Sequence, residues 1–123
     1  MQKFTADVEK LNNVTAVRLA GELDANTAVS ADDALQEAIH KTSDKALLID
    51  CTDLHYISSA GLGVILSSLH ACKEKEIKVA FFGMQPKIKN VFAILGLEKI
   101  INSAPDEKAA IKILNNGSNS NNF

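Results

Sequence analysis

The stretch from Ala46 to Cys72 changes its hydrophobic period part-way along, and this change constrains the fold more than any other feature of the sequence. Residues 46–51 form an apolar run with one acid near its end, which is typical of a buried strand. Beyond it, apolar residues recur with the spacing of one helix face, at Leu62, Ile65, Leu66, Leu69 and Cys72. The sequence therefore predicts a strand, a loop over Asp53–Ser59 and a helix that begins near Ser59.

The amino-terminal third predicts a hairpin followed by a helix. Residues 4–8 and 14–20 read as two strands joined by a tight turn at Asn12-Asn13. A loop from Gly21 then leads to a helix over about 27–41. The residues expected on the inner face of this helix are Ala28, Ala31, Leu35, Ala38 and Ile39.

The remaining chain continues the alternation of strands and helices. A strand is predicted over 77–82, a helix from Pro86 that stops at Gly96, a short edge strand over 98–102, and a last helix that begins at 105–107. The inward positions predicted for the two helices are Ile88, Val91, Phe92, Leu95, Ala110, Ile113 and Leu114. Because strands and helices alternate, the predicted fold class is α/β: a mixed sheet with an amino-terminal hairpin, parallel βαβ units and about four helices.

Length and composition indicate one soluble domain without the character of a nucleic-acid-binding or membrane protein. We expect this domain over residues 1–115 and a disordered, asparagine-rich tail over 116–123. A net charge of −2 offers no basic surface for nucleic acid, and neither a signal peptide nor a run of transmembrane length is visible, so we expect a cytoplasmic protein. Cys51 and Cys72 read as reduced core thiols, and the three histidines have no ligand-like spacing with them, so we expect neither metal nor cofactor.

Two of the predicted strand-to-helix loops should meet at one edge of the sheet. One loop contains Asp24 and Asn26, either of which can cap the helix that follows, and the other contains Ser58 and Ser59. In parallel βαβ units, such loops leave at the carboxyl edge, where ligands and partners bind. Residues 83–85 should reach the same edge, so we expect the functional site there.

The serine pair admits two interpretations. Either hydroxyl suits a helix N-cap, and either one, at the positive end of a helix, also suits a phosphoacceptor. Gly61 and Gly63 would allow a partner's backbone to approach closely, whereas Leu62 either faces outward as an apolar anchor or packs in the core.

Catalytic motifs match poorly. A hydrolase nucleophile elbow requires G-x-S-x-G, but Ile57 occupies the first glycine position and only Ser59-Ala60-Gly61 agrees. Asp53 and His55 are near in sequence, yet nothing suggests a base held by a third group. Gly61-Leu62-Gly63 also lacks the Gly-Lys-Ser/Thr ending of a phosphate-binding loop. The residues therefore favour a binding module over an enzyme.

Residues 57–66 (Ile-Ser-Ser-Ala-Gly-Leu-Gly-Val-Ile-Leu) and 21–24 (Gly-Glu-Leu-Asp) together resemble the motifs of the STAS domain family, specifically its bacterial anti-sigma-factor antagonists. The order of elements matches that family over nearly the whole chain, the tail excepted. In this resemblance Ser59 takes the position of the phosphorylated serine, with Ser58 as the second candidate. Ser58 stands where many relatives have Asp, and Ala60 where many have Ser or Thr.

The resemblance implies a partner switch rather than catalysis. Members bind an anti-sigma factor that is also a serine kinase, are released when it phosphorylates them, and are restored by a phosphatase. The implied partner-binding residues are Asp24, Asn26, Ser58, Ser59, Gly61 and Leu62. We expect the free protein to be a monomer. Alternatives are a STAS module of another signalling circuit that does not act on a sigma factor and, less favoured, a small serine hydrolase using Ser59.

Overall fold

The computed structural model describes residues 3–43 and 45–116, and this part of the chain forms five strands and four α-helices. Their bounds are β1 Thr5–Lys10, β2 Thr15–Leu23, α1 Ala28–Lys41, β3 Ala46–Ile57, α2 Ser59–Glu74, β4 Lys78–Phe82, α3 Pro86–Ile94, β5 Ser103–Ala104 and α4 Glu107–Asn115. A short 3₁₀ turn at Leu97–Lys99 precedes β5. Of the predicted tail, Asn116 follows α4 as a bend, and residues 117–123 lie outside the described part.

The sheet has the predicted mixed topology, with its strands in the order β1-β2-β3-β4-β5. β1 and β2 form the antiparallel hairpin, with Thr5 opposite Ala20 and Lys10 opposite Thr15. The pairs β2–β3, β3–β4 and β4–β5 are all parallel. The predicted α/β fold class is therefore confirmed.

β2 and β3 extend further than the sequence analysis predicted. The Gly21–Leu23 segment continues β2, and residues assigned to the loop 53–59 continue β3 up to Ile57, because these two ends pair with each other at Gly21–Leu54 and Leu23–Ile57. Register irregularities between Arg18 and Ala20 and between Gly21 and Glu22 disguised this continuation. Gly21 has φ +98°, and a Cβ there would lie 2.9 Å from the carbonyl oxygen of Lys3. Glycine therefore serves a strand irregularity here rather than ending the strand.

Helices cover both faces of the sheet and create two apolar clusters. α1, α2 and α3 pack on one face over a large cluster that includes Leu19, Leu35, Ile49, Leu69 and Phe81. α4 packs on the other face over a smaller cluster, and its contributions are Ala110 and Leu114. The predicted inner positions of α1 and α4 are largely confirmed, although Ala28 and Ile113 are only half-buried.

Two predictions in the second half need correction. Residues 98–102 form no strand: Gly96 adopts φ 72°, the chain makes a 3₁₀ turn, and only Ser103 and Ala104 pair with β4. Leu95, predicted to face inward, is 55% exposed, since α3 ends at Ile94 and the next residue no longer follows the helix face.

One guanidinium joins four elements on the α4 face of the sheet. Arg18 on β2 donates to Glu9 of β1 at 2.8 Å and to Asp50 of β3 and Glu107 of α4 at 2.9 Å each. These partners raise the pKa of Arg18 above its usual value, the Glu9 hydrogen bond most strongly, against the opposing effect of burial. The cluster fixes the first turn of α4 to the sheet.

Candidate functional site

Ser58 and Ser59 lie at the junction of β3 and α2 and have different roles there. Ser58 is the N-cap: its backbone is extended, and its hydroxyl accepts a hydrogen bond from the Gly61 amide at 3.3 Å. Its own amide donates to the carbonyl oxygen of Leu23 at 2.9 Å, which ties the start of α2 to the end of β2. Ser59 is the first helical residue and is exposed, and within residues 3–43 and 45–116 its hydroxyl has no hydrogen-bond partner.

The loop after β2 is stabilised by the Asp24 carboxylate. Its Oδ1 accepts from the amides of Asn26 at 2.9 Å and Thr27 at 3.2 Å, an Asx turn. The Thr27 hydroxyl donates to Glu22 O at 2.8 Å and accepts from the Asp24 amide at 2.9 Å. Thr27 is the N-cap residue of α1, so neither Asp24 nor Asn26 caps that helix, as the sequence had suggested. Asp24 remains half-buried and Asn26 exposed at the site edge.

Gly61 and Leu62 are buried in the protein interior, and of the two positions considered for Leu62 the structure shows core packing. A Cβ on Gly61 would lie 2.6 Å from Leu23 Cγ and 2.7 Å from Leu23 O, so glycine permits close packing of α2 on β2. Leu62 belongs to the large apolar cluster, with 7% of its surface exposed, and is not an outward anchor. Gly63 is exposed, and a Cβ there would meet nothing within 4 Å.

The loop after β4 reaches the same side of the sheet, as predicted, but approaches β3 before its end. Gln85 Nε2 lies 3.0 Å from His55 Nδ1 and 3.4 Å from Thr52 O. Gly83, with φ 76°, passes so close to Thr52 that a Cβ would lie 2.4 Å from its hydroxyl oxygen. The side chain of His55 is therefore held by an amide and not by a serine, which gives a hydrolase triad no support.

A cleft of about 240 Å³ lies between α3 and the end of β3. This end of β3 directly precedes the two serines in the chain. The cleft is lined by Tyr56, Ile57, Lys87, Ile88 and Val91. Neither Tyr56 nor Lys87 was predicted from the sequence as a site residue. The signal was present, because Lys87, Val91 and Ile94 have the i, i+4, i+7 spacing of one helix face.

The electrostatics of the junction suit an anion at Ser59. The first turn of α2 contains no acidic residue, and its free amides give the helix start a partial positive charge.

No group of three or more side chains able to hold a metal ion occurs in the described part of the chain. Both cysteines lie in the core, where burial raises the pKa of Cys51 and Cys72 to about 12. No helix among the described residues is long and apolar enough to span a membrane.

Comparison with known proteins identifies the family. A family model described as the STAS domain matches residues 5–110. The chain belongs to the STAS domain family. A curated relative, the anti-sigma-B factor antagonist of Listeria monocytogenes serovar 1/2a, is 32% identical over 84 residues, which are 68% of this chain and 72% of that protein.

Solved STAS structures share the whole architecture. An anti-sigma factor antagonist from Mycobacterium paratuberculosis superposes with a TM-score of 0.81 at 24% identity, covering 91% of this chain and 94% of the other. The phosphorylated form of the Bacillus cell fate determinant SpoIIAA superposes with a TM-score of 0.69 at 20% identity, covering 89% and 99%. At these identities the likeness establishes the five-strand, four-helix STAS fold.

Proposed function

We propose that this STAS domain is an anti-sigma-factor antagonist that binds a serine-kinase anti-sigma factor and is switched off by reversible phosphorylation of Ser59. Binding of the unphosphorylated form removes the anti-sigma factor from its sigma factor and so activates transcription. Phosphorylation by the bound kinase dissociates the complex, and a phosphatase restores the binding form. The antagonist part of this proposal is supported by the name of the Listeria relative, an anti-sigma-B factor antagonist.

The observation that carries the proposal is that the two serine hydroxyls have different roles at the start of α2. The Ser58 hydroxyl is committed to Gly61 as the helix cap, whereas the Ser59 hydroxyl is exposed and has no partner within the described residues. A kinase can therefore reach Ser59 without dismantling the cap. A phosphate there would be near the first-turn amides of α2, which stabilise an anion. The fold should therefore tolerate the modification, as a phosphorylated protein of the same fold does.

The partner would not tolerate the same charge. A phosphoserine carries about −1.5 to −2 charges at pH 7, and an unpaired dianion is costly to desolvate inside an interface. Glu22 near the end of β2 and Asp24 on the loop after it already make this edge acidic. Shifting a complex from 99% to 1% bound requires about 5.5 kcal/mol of differential affinity, which a buried, unpaired dianion can supply without a change in shape.

Incubation with the candidate kinase and ATP, followed by mass spectrometry, tests the assignment. We expect phosphate on Ser59 in the wild type and none on Ser59→Ala, which should stay folded and still bind the kinase. Ser59→Asp should weaken that binding about 10- to 1000-fold, equivalent to about 1.4–4 kcal/mol.

Ser58→Asn is the matched control, because asparagine keeps the cap but offers no hydroxyl for phosphorylation. This variant should be phosphorylated like the wild type. Phosphate found on Ser58 alone would refute the assignment to Ser59. A kinase that bound Ser59→Asp as tightly as the wild type would refute the switch itself.

A further inference from the structure

Exposed apolar side chains are unevenly distributed over this protein. Four large hydrophobic residues are exposed in the described part of the chain, and three of them, Tyr56, Ile94 and Leu95, lie at the end of β3 and along α3. The fourth, Val29, lies on α1. Single exposed hydrophobics are ordinary, but a group of them indicates a contact surface.

The group forms one strip that begins next to the serines. Tyr56 precedes the Ile57-Ser58 pair in the chain and shares a cleft with Lys87 and Val91. On α3, Ile94 follows Val91 by about one turn and is the last helical residue, and Leu95 is the C-cap residue directly after it. We call Tyr56, Lys87, Val91, Ile94 and Leu95 the α3 strip.

The α3 strip carries one cation at its serine-proximal end. Lys87 is exposed, lines the cleft and makes no ion pair with any described residue. Lys89 lies two residues further on and is also exposed, but it does not line the cleft. Because residues at positions i and i+2 of a helix point in different directions, the two lysines present the same charge on different sides of α3.

We infer that the α3 strip is the second half of the docking surface for the anti-sigma factor, which would place an apolar side chain in the Tyr56–Val91 cleft and a carboxylate against Lys87. The inference rests on the proposed function. It adds the part of the surface that supplies affinity for the anti-sigma factor, as distinct from Ser59, whose phosphorylation removes that affinity. Its support is the continuity of the strip with Ser58 and Ser59 together with its single unpaired cation. A few residues in well-packed pockets near the centre of an interface, tyrosine often among them, contribute most of its affinity, whereas an electrostatic switch at Ser59 only removes affinity.

Binding of the purified serine-kinase anti-sigma factor from the same organism, measured by calorimetry with unphosphorylated variants, tests this division. Ile94→Ser and Lys87→Glu should each weaken binding about tenfold. The matched controls, Val29→Ser and Lys89→Glu, should stay within about threefold of the wild type. All four positions are exposed, so the variants should unfold at the wild-type urea midpoint.

The outcomes separate this inference from the proposed function. If Ser59→Asp weakens binding while Ile94→Ser and Lys87→Glu do not, the switch stands and the α3 strip is not part of the interface. If the wild type does not bind the kinase, both proposals fail. If light scattering shows a dimer that Ile94→Ser abolishes while kinase affinity is unchanged, a second copy of the chain covers the strip and the inference is overturned.

Discussion

Two glycines in the first turns of α2 should respond in opposite ways to the same substitution. A methyl group at Gly63 would contact nothing within 4 Å, so Gly63→Ala should gain the helix propensity of alanine, about 0.5–1 kcal/mol. At Gly61 the same methyl would lie 2.6 Å from Leu23 Cγ and 2.7 Å from Leu23 O. That carbonyl oxygen also accepts the Ser58 amide at 2.9 Å, so it cannot move away without weakening the junction.

Overpacking of this kind costs about 1–3 kcal/mol, and the involvement of a backbone atom places Gly61→Ala in the upper part of that range. After subtraction of the propensity gain, we expect a net loss of about 1–2 kcal/mol, and a difference of about 2–3 kcal/mol between the two variants. Urea unfolding followed by circular dichroism should show midpoints about 1–2 M apart for a protein of this size. If Gly61→Ala unfolds at or above the wild-type midpoint, the close packing of α2 on β2 is not as described.

Three further perturbations follow from the structure. Because burial raises the pKa of Cys51 and Cys72 to about 12, the folded state keeps both thiols protonated while the unfolded chain ionises them near 8.5. The free energy of unfolding should therefore fall as pH rises from about 8.5 towards 12, and a thiol reagent at pH 8 should react only as fast as the protein unfolds. Arg18→Met leaves three carboxylates without their shared cation, so it should lower the free energy of unfolding in urea by about 1–2 kcal/mol. The loss should be smaller in 0.5 M NaCl, because salt screens the repulsion between the carboxylates. A loss that salt does not reduce would contradict this electrostatic origin. Asp24→Asn keeps the acceptor of the Asx turn and should leave the urea midpoint unchanged, whereas Asp24→Ala should lower stability by about 1 kcal/mol; equal losses would mean that the charge, not the turn, stabilises the loop.

The elements with strong local signals were predictable from sequence. Each of these elements is specified by side chains within its own segment. The signals are the hydrophobic spacing of α2, the alternation in β1 and the acid-rich start of α4. Asp106 caps α4 by accepting the Ala109 amide at 2.9 Å, in agreement with the predicted start. The alternation of these elements then restricts the topology to a hairpin with parallel units.

The ends of β2 and β3 were not predictable, because their pairing depends on residues distant in sequence. Gly21 and Asp53 read as strand breakers locally, yet both strands continue, since each provides the other's hydrogen-bond partners beyond the irregularities. The same distant contact decides the role of Gly61, which reads as a flexible or exposed glycine until Leu23 is placed against it. The meeting of the two strand-to-helix junctions at the carboxyl edge of the sheet does not depend on these corrections, because it follows from strand direction and not from strand length.

The extended β2 and β3 ends explain how the junction can be both exposed and fixed. The start of α2 is fixed on its interior side by the hydrogen bond between Ser58 and Leu23 and by the close packing of Gly61 on Leu23. The Ser58 hydroxyl also caps the helix by accepting the Gly61 amide. These contacts lie on Ser58, Gly61 and Leu23, and none of the hydrogen bonds at the junction, within residues 3–43 and 45–116, involves the Ser59 side chain. A charge added to Ser59 would change the exposed surface without removing any of these contacts. Under the proposed function, a phosphate there would therefore act on the partner through its charge and not through a change in the fold.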